Sequence, residues 1–271
     1  MIVSIAQINC SLNNRLENAK KMASFIEKSK KKNADVIVFP EMSDLGYDLE
    51  NLADSATKNS QEQFLKILKN AAQKNKINVV AGIVESKNEE FHNLAIVIDS
   101  KGELKHRYQK IHLYTPAGEG IFTPGDKMVK FRINDFTAGL LICYDIRFPE
   151  MCRSLALEGV NLLIIPTAWP FPRLDHWKLL TRARAIENQC FVVAANRVGK
   201  DDSTFFCGNS RIIDPHGTIL SSCSEDQEEL IFARLDIKKL SFVRNRQKVF
   251  EHRKPTLYLV NKNEYNALSE S

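Results

Sequence analysis

Val36-Ile37-Val38-Phe39-Pro40-Glu41 is a continuous apolar run closed by a proline and an acid. An unbroken β-branched run has no polar face to turn to water, which is the signature of a strand buried on both sides in a parallel sheet. Working outward, Val3 to Ile8 is a second short apolar run. Between the two, Asn13 to Lys32 carries Leu16, Ala19, Ala23 and Ile26 at helical spacing. Strand, helix, strand is the order of a parallel crossover unit, so the fold class is α/β.

The pattern continues downstream. Phe64, Ile67, Leu68 and Ala71 mark a second helix, and Ile77 to Val84 and Asn93 to Asp99 mark two strands. Gly102 then turns the chain towards Lys110. In the second half, Ala138 to Cys143 is apolar and stops at the charged corner Tyr144-Asp145. Pro149 and Gly159 stand where a helix would begin and end. Leu162 to Pro166, Phe191 to Val198, Ser210 to Asp214, Thr218 to Ser221 and Leu230 to Leu235 read as strands, and Leu174 to Asn188 as a helix. Asp214-Pro215-His216-Gly217 has hairpin-turn chemistry. No linker, low-complexity tract or internal repeat divides the chain. The expectation is one domain over 1–271, built from stacked sheets covered by helices, with 250–271 a polar C-terminal tail.

The 271 residues are 44% hydrophobic and 26% charged, an ordinary globular balance. No apolar run approaches the length of a membrane span, and Met1 to Cys10 lacks the basic start of a signal peptide. The net charge of +5 is concentrated in Lys20, Lys21, Lys28, Lys30, Lys31 and Lys32. Without interleaved aromatics, these read as a solvated helix face and not as a nucleic-acid patch. The six cysteines, Cys10, Cys143, Cys152, Cys190, Cys207 and Cys223, form no C-x-x-C pair. They read as reduced thiols of a cytoplasmic protein, with no zinc site.

Three polar residues stand out by position. Glu41 follows the first buried run, Cys143 follows Gly139-Leu140-Leu141-Ile142, and Lys110 follows another strand. Open α/β sheets present ligand-facing groups at the carboxyl ends of their strands. A thiol attacks only as thiolate. A carboxylate can take its proton, and an ammonium can stabilise both the thiolate and the oxyanion it generates. Glu, Lys and Cys therefore suffice for acyl transfer without histidine. The chain has no G-x-S-x-G, no phosphate-binding glycine motif and no H-x-x-x-H pair, so serine-hydrolase, nucleotide and zinc-protease chemistry lack support.

Phe39-Pro40-Glu41-Met42, Tyr108-Gln109-Lys110-Ile111-His112-Leu113 and Ile142-Cys143-Tyr144-Asp145-Ile146-Arg147-Phe148-Pro149-Glu150 resemble, in order, the three signature segments of the nitrilase superfamily of carbon–nitrogen hydrolases. The resemblance extends through Gly118-Glu119-Gly120 and Arg182 to Asn188, from about Ile2 to Arg253. It implies a four-layer α-β-β-α sandwich that pairs into a homodimer or higher homo-oligomer. It implies Glu41 as general base, Lys110 as oxyanion stabiliser, Cys143 as nucleophile and Glu119 as a supporting carboxylate. The Tyr144 N–H would complete the oxyanion hole, and no metal or organic cofactor is implied. Thr167 to Arg173 with His176-Trp177 looks like the ω-amidase branch, which hydrolyses the terminal amide of 2-oxoglutaramate or 2-oxosuccinamate. On that reading Arg173 grips a substrate carboxylate, and Trp169 and Phe122 wall the pocket. The alternatives are hydrolysis of an N-carbamoyl amine, deaminated glutathione or an aliphatic amide, and, from another class, a non-catalytic binding or scaffold subunit.

Overall fold

A computed structural model describes residues 1–201 and 204–258. In chain order its strands are β1 (Ile2–Gln7), β2 (Val36–Val38), β3 (Asn78–Lys87), β4 (Glu90–Ile98), β5 (Leu104–Gln109), β6 (Lys130–Ile133) and β7 (Phe136–Leu140). They continue with β8 (Leu162–Thr167), β9 (Phe191–Asn196), β10 (Val198–Asp201), β11 (Thr204–Cys207), β12 (Arg211–Ile213), β13 (Ile219–Ser222) and β14 (Glu229–Arg234). The helices are α1 (Arg15–Lys31), α2 (Leu52–Ser55), α3 (Lys58–Asn75), α4 (Pro149–Leu157), α5 (Leu174–Asn188) and α6 (Lys238–Arg246). One six-stranded sheet runs β14-β1-β2-β3-β4-β5 and the other β13-β12-β9-β8-β7-β6. In each, the strands that read as continuous apolar runs form the parallel centre: β1-β2-β3 and β7-β8-β9.

Side-chain alternation along β2 makes the layers. Val36 and Val38 point into the cluster shared with the second sheet, where they meet Leu140, Ile164 and Val192 among others. Ile37, with Phe39 beyond the strand, points the other way, onto Met22 and Ile26 of α1 and Phe64 and Leu68 of α3. Strands β3 and β4 split in the same manner, with Val80, Ala95 and Val97 inward and Val79, Ile96 and Ile98 outward. Helices α4 and α5 cover the second sheet, contributing Cys152, Leu155, Trp177 and Ala185 to its core. The fold is the four-layer α-β-β-α sandwich.

The sequence reading is corrected in detail at several places. Strand β7 stops at Leu140, so Cys143 lies beyond the strand on a turn and does not end it. The run Phe191 to Val198 breaks at Arg197, between β9 and β10. Strands β6 and β11 and helix α6 were not read from the sequence. Part of the supposed tail is packed: Phe250 is flanked by the guanidinium groups of Arg153 and Arg244, 5.3 and 5.2 Å from its ring centre. The remainder of that segment, 259–271, lies outside the described residues.

The α1 lysines lie on the solvent side, with Lys21 paired to Glu228 and Lys31 to Glu27. No helix among the described residues is long and apolar enough to cross a membrane.

Candidate active site

Both sheets deliver chemistry at the carboxyl ends of their strands. Glu41 follows β2 by way of Phe39-Pro40, and its segment packs directly on Gly82 of β3. A β-carbon at Gly82 would stand 2.4 Å from the Glu41 Cα, so only glycine fits beneath this turn. Lys110 is the residue after β5. Glu119 opens a short 3₁₀ turn, Glu119–Ile121. Cys143 opens another, Cys143–Arg147, and adopts φ +44°. A non-glycine residue in left-handed backbone is uncommon and costs about 1–3 kcal/mol, so its surroundings must enforce it.

The structure brings Glu41, Lys110 and Glu119 into direct contact. Lys110 Nζ donates to Glu41 Oε1 at 2.8 Å and to Glu119 Oε1 at 2.7 Å, and all three side chains are buried. Glu41 also accepts from Asn93 Nδ2 at 2.8 Å and from the Ala168 N–H at 2.9 Å. Glu119 accepts from the Tyr114 N–H at 2.8 Å and from the Tyr47 hydroxyl. Every carboxylate oxygen is thus held in place before any ligand arrives.

Cys143 is buried beside this group and feels its charges. Burial, reinforced by the Glu41 carboxylate, pushes the thiol well above its usual pKa, while Lys110 pulls it back. Burial also raises Glu41, against the pull of Lys110. Burial works against the Lys110 ammonium, but the two carboxylates outweigh it and hold its pKa above the ordinary lysine value. Burial thus favours the protonated thiol over the thiolate and makes the Glu41 carboxylate a stronger base. Tyr144, in the first turn after Cys143, contributes an N–H that has no intrahelical partner.

These residues border a cleft of about 690 Å³. Glu119, Cys143, Tyr144 and Ala168 line it, and Glu41 and Lys110 lie fully buried directly behind Ala168 and Glu119. Trp169 and Arg173 line it too. Phe122 does not: it is 3% exposed and packs among Met42, Leu45, Leu52 and Val84 in a separate small core. Its backbone pairs with that of Phe91 in a single isolated bridge. Tyr47, Asp201 and Arg147 are among the further lining residues, none of them given a site role from the sequence. Tyr47 bonds Glu119, and Asp201 receives the Tyr47 N–H at 3.3 Å and pairs with buried Arg197. Arg147 stacks 4.7 Å over the Trp169 ring and lies on the same turn as the thiol. Arg173 stacks 5.4 Å over Tyr114. Among the described residues neither Arg147 nor Arg173 has a carboxylate partner. No group of three His, Cys, Asp or Glu side chains among them is arranged to hold a metal.

Residues 2–245 match the carbon–nitrogen hydrolase family. The chain belongs to this family, within the nitrilase superfamily, and is a hydrolase of carbon–nitrogen bonds other than peptide bonds. It is similar to a 2-oxoglutaramate amidase of Bacillus subtilis, 39% identical, with 94% of this chain and 98% of that protein aligned. A protein described as a hydrolase in the agr operon of Staphylococcus aureus is 34% identical over 95% of this hydrolase and all of the relative. Among solved structures, a carbon–nitrogen hydrolase from Helicobacter pylori G27 superposes with a TM-score of 0.88 at 24% identity, covering 95% of this chain and 96% of the other. An amidase from Nesterenkonia sp. gives 0.85 at 24% identity, covering 95% of each chain. Both share the sandwich fold.

Proposed function

We propose that the protein is an amidase acting on a small amide that carries a carboxylate at its far end, with 2-oxoglutaramate or 2-oxosuccinamate as substrate. The observation that carries this reading is the buried Glu41–Lys110–Glu119 group beside a thiol at one cleft, whose wall also holds two guanidinium groups that have no carboxylate partner among the described residues. The similarity to two proteins described as 2-oxoglutaramate amidases supports the choice of substrate, one from Bacillus subtilis and one from Paenarthrobacter nicotinovorans, 39% and 33% identical.

The mechanism follows from the charges. Glu41 takes the Cys143 proton, and sulfur adds to the amide carbon. The developing oxyanion is held by Lys110 and the Tyr144 N–H. Glu41 returns the proton to the amide nitrogen, the carbon–nitrogen bond breaks, and ammonia leaves a thioester on sulfur. Water then adds to the thioester carbonyl as Glu41 accepts its proton, and the carboxylic acid departs as the thiol is restored. Glu119 holds Lys110 in line throughout. Arg173 is the group assigned to the substrate carboxylate, and Trp169 provides an apolar wall. The whole described chain serves as one catalytic domain.

Two further parts of the reading concern setting. All six cysteines are free thiols, which supports a reducing, cytoplasmic environment. Leu157, Leu179 and Ile186 are exposed on α4 and α5, which supports pairing of two copies across that layer.

Ammonia release from 2-oxoglutaramate, compared with butyramide and an N-carbamoyl amine, tests the substrate. The account expects the carboxylate-bearing amide to have the highest kcat/KM, and Arg173→Ala to raise its KM about tenfold or more with little change for butyramide. Equal kcat/KM for the neutral amide would remove the carboxylate from the reading.

A further inference from the structure

One buried carboxylate outside the group just described joins the two segments on which the chemistry depends. Asp145 lies two residues after Cys143, on the same turn, and is fully buried. Its Oδ2 accepts from the Tyr108 hydroxyl at 2.6 Å and from the Ile142 N–H at 2.9 Å. Its Oδ1 accepts from the His112 N–H at 3.0 Å and pairs with His112 Nδ1 at 2.8 Å. The Tyr108 hydroxyl in turn accepts from the Ile111 N–H at 3.3 Å. His112 also stacks flat on Phe148, just past the turn, with ring centres 3.6 Å apart.

The pattern is more than a local cap. The bond from Ile142 is the ordinary way a side chain closes a helical turn. The other three come from Tyr108 and His112, which flank Lys110 by two residues on either side. A carboxylate accepts two hydrogen bonds per oxygen with good geometry; here Oδ2 divides its bonds between Tyr108 on the Lys110 segment and Ile142 at the Cys143 turn, while both bonds to Oδ1 come from His112. The two segments lie on different sheets, β5 in one and β7 in the other, so no backbone ladder fixes their separation.

We propose that Asp145, with Tyr108 and His112, is a positioning clamp that sets the distance between Lys110 and Cys143 and holds Cys143 in its left-handed conformation. The clamp rests on the amidase reading for its purpose. His112 does not line the cleft, so it acts through Asp145 and not on substrate. Its N–H groups face a carboxylate, and buried charge-assisted hydrogen bonds of this kind are the strong ones. Losing the clamp frees the turn to relax towards an ordinary backbone conformation. A shift of about 1 Å between a nucleophile and its oxyanion stabiliser costs on the order of a hundredfold in rate.

Asp145→Asn keeps the shape but replaces acceptors with donors on one side. His112→Leu removes the ring donor, and His112→Asn restores an N–H near the Nδ1 position. With the preferred amide, the clamp predicts that Asp145→Asn and His112→Leu lower kcat about a hundredfold, with KM changed less than about threefold. His112→Asn recovers most of what His112→Leu loses. The second readout needs no substrate: the pH profile of Cys143 alkylation by iodoacetamide moves to lower pH in the clamp variants, as the loosened thiol returns towards ordinary solvent exposure. A failed amidase reading would leave this profile informative, so the two failures are separable. Folded Asp145→Asn and His112→Leu proteins with wild-type kcat and an unmoved alkylation profile would overturn the clamp. Complete inactivity of His112→Asn with an unmoved alkylation profile would also overturn it, and would instead assign the ring directly to catalysis. Tyr108→Phe provides a milder variant should Asp145→Asn fail to fold.

Discussion

Lys110→Met strikes the structure where its charges are least shielded. The ammonium has no exposure and two carboxylate partners, at 2.8 and 2.7 Å, with side-chain exposures of 0% and 1%. Methionine fills much of the stem volume, so the loss is one of charge and hydrogen bonds. Glu41 and Glu119 are left facing a dry space without a counterion. Breaking a buried ion pair in this way costs about 3–5 kcal/mol, because an uncompensated charge remains. For a chain of this size, roughly 2–4 °C accompanies each kcal/mol, so melting should fall by roughly 10 °C at pH 8. The sign with pH is fixed by linkage. Burial already raises Glu41, and removing Lys110 removes the principal charge holding that carboxyl down. The penalty is therefore fully present above the raised folded-state pKa. It is relieved as pH falls towards the unfolded carboxylate value of about 4.3, because the folded protein takes up a proton first. Thermal melts of wild type and variant at pH 8 and pH 5 should show a gap that narrows at pH 5. A gap under about 2 °C, or one that is equal at both pH values, would refute the claim that this lysine neutralises two buried carboxylates.

Other expectations are briefer. Glu41→Gln should lower kcat by about a thousandfold or more while amide binding persists, measured by ammonia release and by protection of Cys143 from alkylation. Asn93→Leu removes a donor that lowers the Glu41 pKa, so the acid limb of the kcat/KM profile should move to higher pH; an unmoved limb would dissociate Asn93 from the base. Gly82→Ala should cost both stability and turnover, since its methyl group would enter the backbone of Glu41, as a melt paired with an activity assay would show.

The parallel cores were legible because a strand buried on both faces must be apolar throughout, and Val36 to Phe39 and Leu162 to Pro166 advertise that plainly. Strand β6 was not, because Lys130–Ile133 buries only Phe131 and Ile133 at a sheet edge. Helix α6 buries only Leu240 and Val243, too few for a readable period. From sequence Cys143 reads as the end of its strand because the apolar run continues to Ile142, but a residue at φ +44° cannot belong to a ladder, and pairing stops at Leu140. Glu41, Lys110, Glu119 and Cys143 stand out in the sequence through their motifs, and the structure adds the contacts of Lys110 with Glu41 and Glu119. Tyr47 carries no local signal, since it gains its meaning only from Glu119, distant in sequence; Arg147 stands in a signature segment, but its place over Trp169 is visible only in the structure. Phe122 was misplaced because an aromatic beside a catalytic motif resembles a pocket wall until its ring is seen to face a core.

The most direct measurement is the intact mass of protein quenched in acid during turnover of a slowly hydrolysed amide, followed by peptide mapping. The account predicts that the peptide containing Cys143 carries the acyl group of the substrate, and that Cys143→Ala carries none and releases no ammonia. Steady ammonia release with an unmodified Cys143 peptide, or from the Cys143→Ala protein, would contradict it.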